Sequence, residues 1–129
     1  MQIAVNLQDR TPIYEQLVNA VKELINRGQL PLGHRLPSVR QLAQDLGVNL
    51  NTVAHAYREL GDMGLLEVRQ GRPVIVVSAT RPCDAGQLEE LRKLASRLVN
   101  EAMLLGIEPK RLHALIDSEV VALMKERRQ

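Results

Sequence analysis

Residues 36–66 constrain the fold of this chain more than any other segment. Ser38 is followed three residues later by Gln41, which is the pattern of an N-terminal capping box. Gly47 permits a sharp turn, and Asn49 is a residue type that caps helices. The segment is therefore predicted to form two helices joined by a tight turn.

The apolar residues of these two helices fall on one face of each. They are Val39, Leu42, Ala43 and Leu46 on the first helix and Val53, Ala56, Tyr57 and Leu60 on the second. The second helix leaves a polar face uncovered. Because proteins present a helix of this kind to the major groove of DNA, the segment predicts a helix-turn-helix.

The flanking residues complete a larger pattern. Residues 2–7 alternate between apolar and polar, which predicts a short strand or an extended arm, and Thr11 with Pro12 predicts the capped start of a helix. Residues 66–68 and 74–77 predict two strands joined by an arginine-bearing turn. Three helices followed by a ribbon predict a winged helix-turn-helix, a mainly α fold with a small β-wing.

A change of composition at residues 78–86, which include Pro82 and Gly86, predicts a domain boundary. We assign residues 1–78 to a winged helix-turn-helix DNA-binding domain. Residues 79–129 are assigned to a two-helix dimerisation region.

This second region is predicted to be an α-helical hairpin, in which Gly106 ends one helix and Pro109 begins the next. Apolar residues of the first helix follow a three-four alternation over several turns. The apolar stripes are broader than two helices can bury against each other. A second copy of the chain is the expected partner, since closed two-fold dimers dominate among homo-oligomers. The chain is thus predicted to be a homodimer through its C-terminal helices.

Composition and charge narrow the function. Tyr14 and Tyr57 are the only residues of the Phe, Trp and Tyr types, which disfavours single-strand binding by aromatic stacking. The net charge is only +2, but residues 24–44, 48–58 and 68–81 contain arginines and no acidic residue. These three stretches predict one electropositive face.

The same sequence indicates where the protein works. Cys83 is the single cysteine and cannot form an internal disulfide, which suits a reducing compartment. No apolar run approaches the roughly 20 residues needed to span a bilayer, and the N-terminus lacks the features of a secretion signal. We therefore expect a soluble, cytoplasmic protein without membrane association.

Catalysis and cofactor binding have no support in the sequence. The histidines at positions 34, 55 and 113 lack the i, i+4 spacing of a helical metal site. No nucleophile–base pair, glycine-rich phosphate loop or cofactor-binding lysine stands out. The chain is predicted not to be an enzyme and to bind no metal or cofactor.

A series of short motifs occurs in unbroken order over residues 3–78. They are Pro12-Ile13-Tyr14 with Gln16-Leu17, Gly33 with Leu36-Pro37-Ser38, Arg40 with Leu42-Ala43, Gly47-Val48, Asn51-Thr52-Val53 with Ala56-Tyr57, Leu60, Gly64-Leu65-Leu66, and Gly71. In this series the chain resembles the GntR family of bacterial transcription regulators. The wing departs from the family's Gly-x-Gly-Thr-Phe-Val ending, because Pro73 replaces the second glycine and Ile75 the phenylalanine.

The resemblance carries expectations about the second region. About 50 residues follow the wing, too few for the large effector-binding or aminotransferase-like domains of some relatives. A short two-helix region is similar to the YtrA-like subfamily, which implies dimerisation by those helices and, often, control of a transporter operon.

The candidate DNA contacts come from three elements. On the free face of the second helix of the motif they are Asn49, Asn51, Thr52, His55 and Arg58, where asparagine can pair with adenine. Ser38 and Arg35 are expected to hold phosphates, and the resemblance implies a DNA contact for Arg40. Wing residues Arg69, Gln70, Gly71 and Arg72 are expected to reach the adjacent minor groove, where narrow A·T-rich stretches attract arginine.

These observations predict a sequence-specific transcriptional regulator, a homodimeric repressor bound to a palindromic double-stranded operator. The alternative is a winged-helix protein-interaction module that does not bind DNA. A third hypothesis, a small-molecule sensor with a pocket between the C-terminal helices, is compatible with the first. The sequence assigns no effector.

Overall fold

The computed structural model describes residues 3–127. Its elements are α1 (Ile13–Asn26), β1 (Arg35–Leu36), α2 (Val39–Leu46), α3 (Leu50–Asp62), β2 (Leu66–Glu67), β3 (Val74–Val76), α4 (Ala85–Leu104) and α5 (Pro109–Arg127). They form two compact units that divide after Arg81. The sequence-based boundary was placed three residues earlier, after Ser78.

The strands form one small antiparallel sheet in the order β1-β3-β2. Leu36 pairs with Val74, and Leu66 pairs with Val76. The two strands of the wing were predicted, although β2 is shorter than residues 66–68. Strand β1 was missed, because a two-residue strand carries no alternation that a sequence could reveal.

A single hydrophobic core holds the first unit together. Its buried members are Leu17, Val18, Val21, Ile25, Leu30, Leu36, Leu42, Ala43, Val53, Ala56, Tyr57, Leu60, Leu65, Leu66, Val74 and Val76. Tyr57 of α3 is the largest of the fully buried side chains, and its hydroxyl donates a hydrogen bond to the Pro37 carbonyl at 2.7 Å. Burial raises the pKa of Tyr57 well above its ordinary value.

The turn between α2 and α3 follows from its glycine. Gly47 has a φ of +68°, a left-handed conformation that side chains with a Cβ rarely adopt. The Val48 N–H donates to the Ala43 carbonyl at 3.0 Å, which closes the end of α2. At the start of α2, Ser38 Oγ accepts from the Gln41 N–H at 3.0 Å. The predicted capping box is only half formed, because the Gln41 side chain donates instead to Asp45.

No strand forms over residues 3–7: residues 3–6 are an arm without regular secondary structure, and residues 7–11 form a turn and a bend. Gln2 lies outside the described residues. The arm is held by the amide of Gln16, whose Oε1 accepts from the Asn6 N–H at 2.8 Å. Its Nε2 donates to the carbonyls of Asn6 and Thr11. The prediction that Thr11 caps α1 was wrong, since the N-cap is Pro12 and no side chain caps this helix.

Helix α4 of the second unit has well-defined ends. Asp84 and Gln87 form a complete capping box, as predicted, in which each side chain accepts from the other residue's backbone N–H. The other end closes just before Gly106, where the Ile107 N–H donates to the Ala102 carbonyl at 2.9 Å. Helix α5 then begins at Pro109, where the sequence predicted it.

The second unit has almost no core of its own. Among the described residues 82–127, only Ala102 and Leu112 are buried. The large apolar side chains of α4 and α5 that are exposed are Leu88, Leu91, Leu94, Leu98, Val99, Met103, Leu104, Leu115, Ile116, Val120, Val121 and Met124. The helices are therefore formed as predicted, but their apolar stripes are unburied in a single chain.

Candidate nucleic-acid interface

Helix α3 presents one strip of polar side chains to solvent. Asn51, His55 and Arg58 are exposed, whereas the opposite side of the helix is buried in the core. At about 100° per residue, these three positions fall within about 60° of one another around the helix axis. We call Asn51, His55 and Arg58 the polar strip.

Asn49 and Asn51, at the start of α3, make different hydrogen bonds. Asn49 Oδ1 accepts from the Asn51 N–H at 2.8 Å, so its carbonyl oxygen serves as the helix cap. While it caps, Asn49 keeps both amide N–H groups available to donate to a ligand. Asn51 makes no side-chain hydrogen bond within the described part of the chain. Its whole carboxamide is therefore available for the two-point pairing that asparagine makes with adenine.

The polar strip is bounded on one side by α1. The imidazole of His55 stacks on the ring of Tyr14, with centroids 4.4 Å apart and planes 19° from parallel. Thr52 is half-buried and lies about 100° around the helix from Asn51, outside the strip. No local sequence pattern indicates the contact between Tyr14 and His55, because the two rings are brought together only by the packing of α1 against α3.

On its other side the strip borders a groove of about 1220 Å³ between α3, the start of α2 and the wing. Arg35, Arg58, Arg69 and Arg72 all line this surface, which we call the arginine groove. No Asp or Glu lines it. Residues far apart in the sequence thus converge there, as the acid-free stretches predicted for a single positive face.

The charge of the arginine groove is little compensated. Arg69 Nε lies 3.9 Å from Glu67 Oε1, and both side chains are exposed, so the attraction is weak. Across residues 3–127, the structure pairs no carboxylate with Arg35, Arg58 or Arg72. Three free guanidinium groups and a weakly held fourth favour a polyanion, and planar guanidinium groups match phosphate oxygens well.

The start of α2 adds a donor to this surface. Ser38 lines the groove, and because its oxygen already accepts a hydrogen bond, its hydroxyl hydrogen is free to donate to a phosphate. The hydrogen bond from Tyr57 to Pro37 fixes this end of α2 against α3. Arg40 is exposed in the first turn of α2 but does not line the groove.

The tip of the wing is a tight turn. The Arg72 N–H donates to the Arg69 carbonyl at 3.1 Å, and Gly71 between them has a φ of +75°. This turn places Arg69 and Arg72 at the tip, with Gln70 and Gly71 exposed between them.

Most of the predicted site residues are brought together. The arginine groove contains Arg35, Ser38, Arg58, Arg69, Gln70, Gly71 and Arg72, and the N-terminal part of α3 presents Asn49, Asn51 and His55. Thr52 is half-buried outside the polar strip, and Arg40 does not line the groove. Sequence reasoning missed Ala54, which lines the groove, and Tyr14.

In residues 3–127 no group of three or more His, Cys, Asp or Glu side chains could hold a metal ion. Within the same part of the chain, no helix is both long enough and apolar enough to cross a membrane.

Comparison with known proteins agrees with this geometry. Residues 13–76 match the family described as bacterial regulatory proteins, gntR family. The transcriptional repressor YtrA of Bacillus subtilis is 35% identical over 115 residues, which cover 88% of each chain. A Listeria monocytogenes structure titled as a transcriptional antiterminator has a TM-score of 0.84 at 28% identity, covering 95% of this chain and 92% of the other.

A second similar structure contains DNA. It is the AraR DNA-binding domain in complex with the operator ORX1, with a TM-score of 0.54 and 27% identity. It covers 60% of this chain and 99% of its own. The relatives are thus named as regulators of transcription, not as enzymes.

The three-helix unit, its wing and the arginine groove define a winged helix-turn-helix DNA-binding protein. The chain belongs to the GntR family of bacterial regulatory proteins. It is a DNA-binding transcriptional regulator.

Proposed function

We propose that this regulator is a repressor that binds a palindromic operator as a homodimer. Helix α3 enters the major groove, and Arg69 and Arg72 of the wing reach the adjacent minor groove. The arginine groove between them receives the sugar-phosphate strand that separates the two DNA grooves. The observation that carries this proposal is the convergence of four arginines, with no carboxylate, beside the polar strip.

Within this arrangement the contacts divide into two kinds. Asn51 reads an adenine, with His55 and Arg58 further along the same strip, and Asn49 donates to a phosphate or a base edge. Arg35 and Ser38 hold phosphates, which set the register of the helix on the duplex. Arg40 reaches the edge of the groove from α2, and Thr52 contributes from the flank of α3. An Arg40→Ala protein with wild-type operator affinity would remove Arg40 from this set.

The dimer is proposed from the second unit. Helices α4 and α5 expose leucine, valine and methionine side chains that a second copy can bury. Two α3 helices related by a two-fold axis would sit about 34 Å apart, one turn of the duplex. Repression is supported by the name of the Bacillus subtilis relative, and a DNA partner supports a location in the bacterial cytoplasm.

Footprinting with the purified chain on the DNA upstream of its own gene tests the proposal. The expected result is a protected palindrome whose half-sites are one helical turn apart. Binding should weaken steeply with salt, since each neutralised phosphate contributes about 0.9 to the logarithmic salt slope. A protein-interaction module would show no protected site and a nearly flat salt dependence.

A further inference from the structure

Helix α3 carries one apolar side chain that its own fold does not bury. Leu50, the first residue of the helix, is 46% exposed. Val53, Ala56, Tyr57 and Leu60 on the same helix are all buried in the core. Leu50 therefore contributes little to the packing of the first unit.

Leu50 lies at the N-terminal end of α3, the helix that we propose enters the major groove. Leu50 stands between Asn49, which caps the helix, and Asn51 of the polar strip. One turn further along, Ala54 is only partly buried and lines the arginine groove. The two residues are about 40° apart around the helix axis, so they form a short apolar row beside the polar strip. The small side chain of Ala54 lets a neighbouring surface approach closely.

The chemistry of the major groove offers one partner for such a row. Base edges there present hydrogen-bond donors and acceptors, and the C5-methyl group of thymine is their single apolar group. We propose that Leu50 contacts a thymine methyl group in each operator half-site and is a specificity-determining residue of this regulator. The inference rests on the proposed operator binding and adds a base preference to it.

The experiment uses the highest-affinity duplex selected in vitro from a random pool. Each symmetric pair of thymines is replaced in turn by deoxyuridine, which lacks only the methyl group. Loss of one buried methyl contact corresponds to about a fourfold change in affinity, so one pair should weaken wild-type binding by about 15-fold. Leu50→Ala should bind the unmodified duplex correspondingly less well and lose less than about twofold on the same replacement.

Two controls separate this contact from general effects. Leu32→Ala removes a leucine that is 66% exposed at the end of the α1–β1 connection, and it should keep the wild-type deoxyuridine profile. The salt slope of Leu50→Ala should equal that of wild type, because no charge is altered.

The outcomes distinguish the two proposals. A wild-type protein that binds its duplex but is indifferent to every deoxyuridine pair would overturn the role of Leu50 and leave operator binding intact. An unchanged profile in Leu50→Ala would do the same. A chain that enriches no duplex from the pool would remove operator binding itself, and with it the thymine contact.

Discussion

Residues 3–81 and residues 82–127 are both rich in amphipathic helices, but they differ in how far their leucines are buried. The first unit gathers its apolar side chains into one core around Tyr57. In the second unit Leu104 is 83% exposed, and only Ala102 and Leu112 are buried among the described residues. The first unit therefore has a core that can stabilise its own fold, whereas the exposed leucines of the second unit are the basis for proposing that a second copy of the chain covers them.

The largest expected effect comes from placing charge on the second unit. The double variant Leu91→Glu/Leu98→Glu alters two exposed residues that lie on the same side of α4. It should convert a dimer into a monomer, since burying unpaired carboxylates in an apolar interface is unfavourable. Operator affinity should fall by about 10²–10⁴-fold, because the two α3 helices no longer bind as one unit.

Sedimentation and operator titration measure these changes. Ser96→Glu is the matched control, since Ser96 is exposed on the opposite side of α4. The proposed dimer would be contradicted if the double variant sedimented at the same mass as wild type.

A change in the core of the first unit should act on folding instead. Leu60→Ala opens a cavity at a fully buried position of α3 and should lower the free energy of unfolding by about 2–5 kcal/mol. Leu32→Ala, at an exposed position, should change it by less than about 0.5 kcal/mol. Urea denaturation followed by circular dichroism measures both, and equal effects would break the contrast between core and surface.

A third variant asks whether DNA binding belongs to the first unit. Arg35→Gln removes one charge from the arginine groove at a residue that we propose holds a phosphate. In a dimer it should lower the logarithmic salt slope of operator binding by about 2, since each half-site loses one phosphate contact. Arg111→Gln, exposed on α5, is the control and should leave the slope unchanged. A lower salt slope in Arg111→Gln, together with an unchanged slope in the groove variant, would place the DNA contact in the second unit.

The buried hydroxyl of Tyr57 gives a smaller effect with a distinct pH dependence. Tyr57→Phe removes the hydrogen bond to Pro37 and should destabilise the protein by about 0.5–1.5 kcal/mol at neutral pH. Burial raises the pKa of Tyr57 in the folded state above its ordinary value of 10.0. Above that pH the unfolded chain releases a proton that the folded chain retains, so wild-type stability falls as pH rises.

Thermal unfolding at neutral pH and above pH 10 compares the two proteins. The difference between wild type and Tyr57→Phe should shrink in alkaline solution. A difference that stays constant would show that this hydroxyl titrates alike in both states.

The smallest expected effect concerns the N-terminal arm. Gln16→Ala removes the side-chain hydrogen bonds to Asn6 and Thr11 and should lower stability by about 1 kcal/mol. Amide exchange of residues 3–7 should become faster, while that of α3 stays slow. Gln29→Ala, at an exposed position after α1, should leave the arm unchanged. Unaltered exchange in Gln16→Ala would mean that packing of Ile3 and Val5 alone holds the arm.

The order of helices and strands could be derived from the sequence because it depends on local rules. Gly47 requires a left-handed turn, Asp84 and Gln87 form a reciprocal cap, and apolar residues repeat with the period of a helix. Each of these signals lies within a few residues. The polar side of α3 was likewise predictable, because it consists of the positions that the apolar face of the helix does not use.

Other features depend on partners distant in the chain. Strand β1 exists because Arg35 and Leu36 pair with β3, about 40 residues away. That separation is about half of the first unit's length, and no local signal spans it. Nearby polar partners also departed from the predicted caps: the Gln41 side chain donates to Asp45, four residues away, and the Gln16 side chain donates to the Thr11 carbonyl. Local pattern cannot rank such competitors, because their distances are set by packing.

The sequence by itself determined that this chain folds as a winged helix-turn-helix followed by two amphipathic helices, since capping, turn and periodicity act over short distances. Only the tertiary structure decided which of the predicted contact residues share a surface. It places four arginines in one groove, stacks His55 on Tyr14 and leaves Leu50 exposed to solvent. The physical reason is that a surface is made by side chains from separate elements, and their proximity is fixed by the common core beneath them.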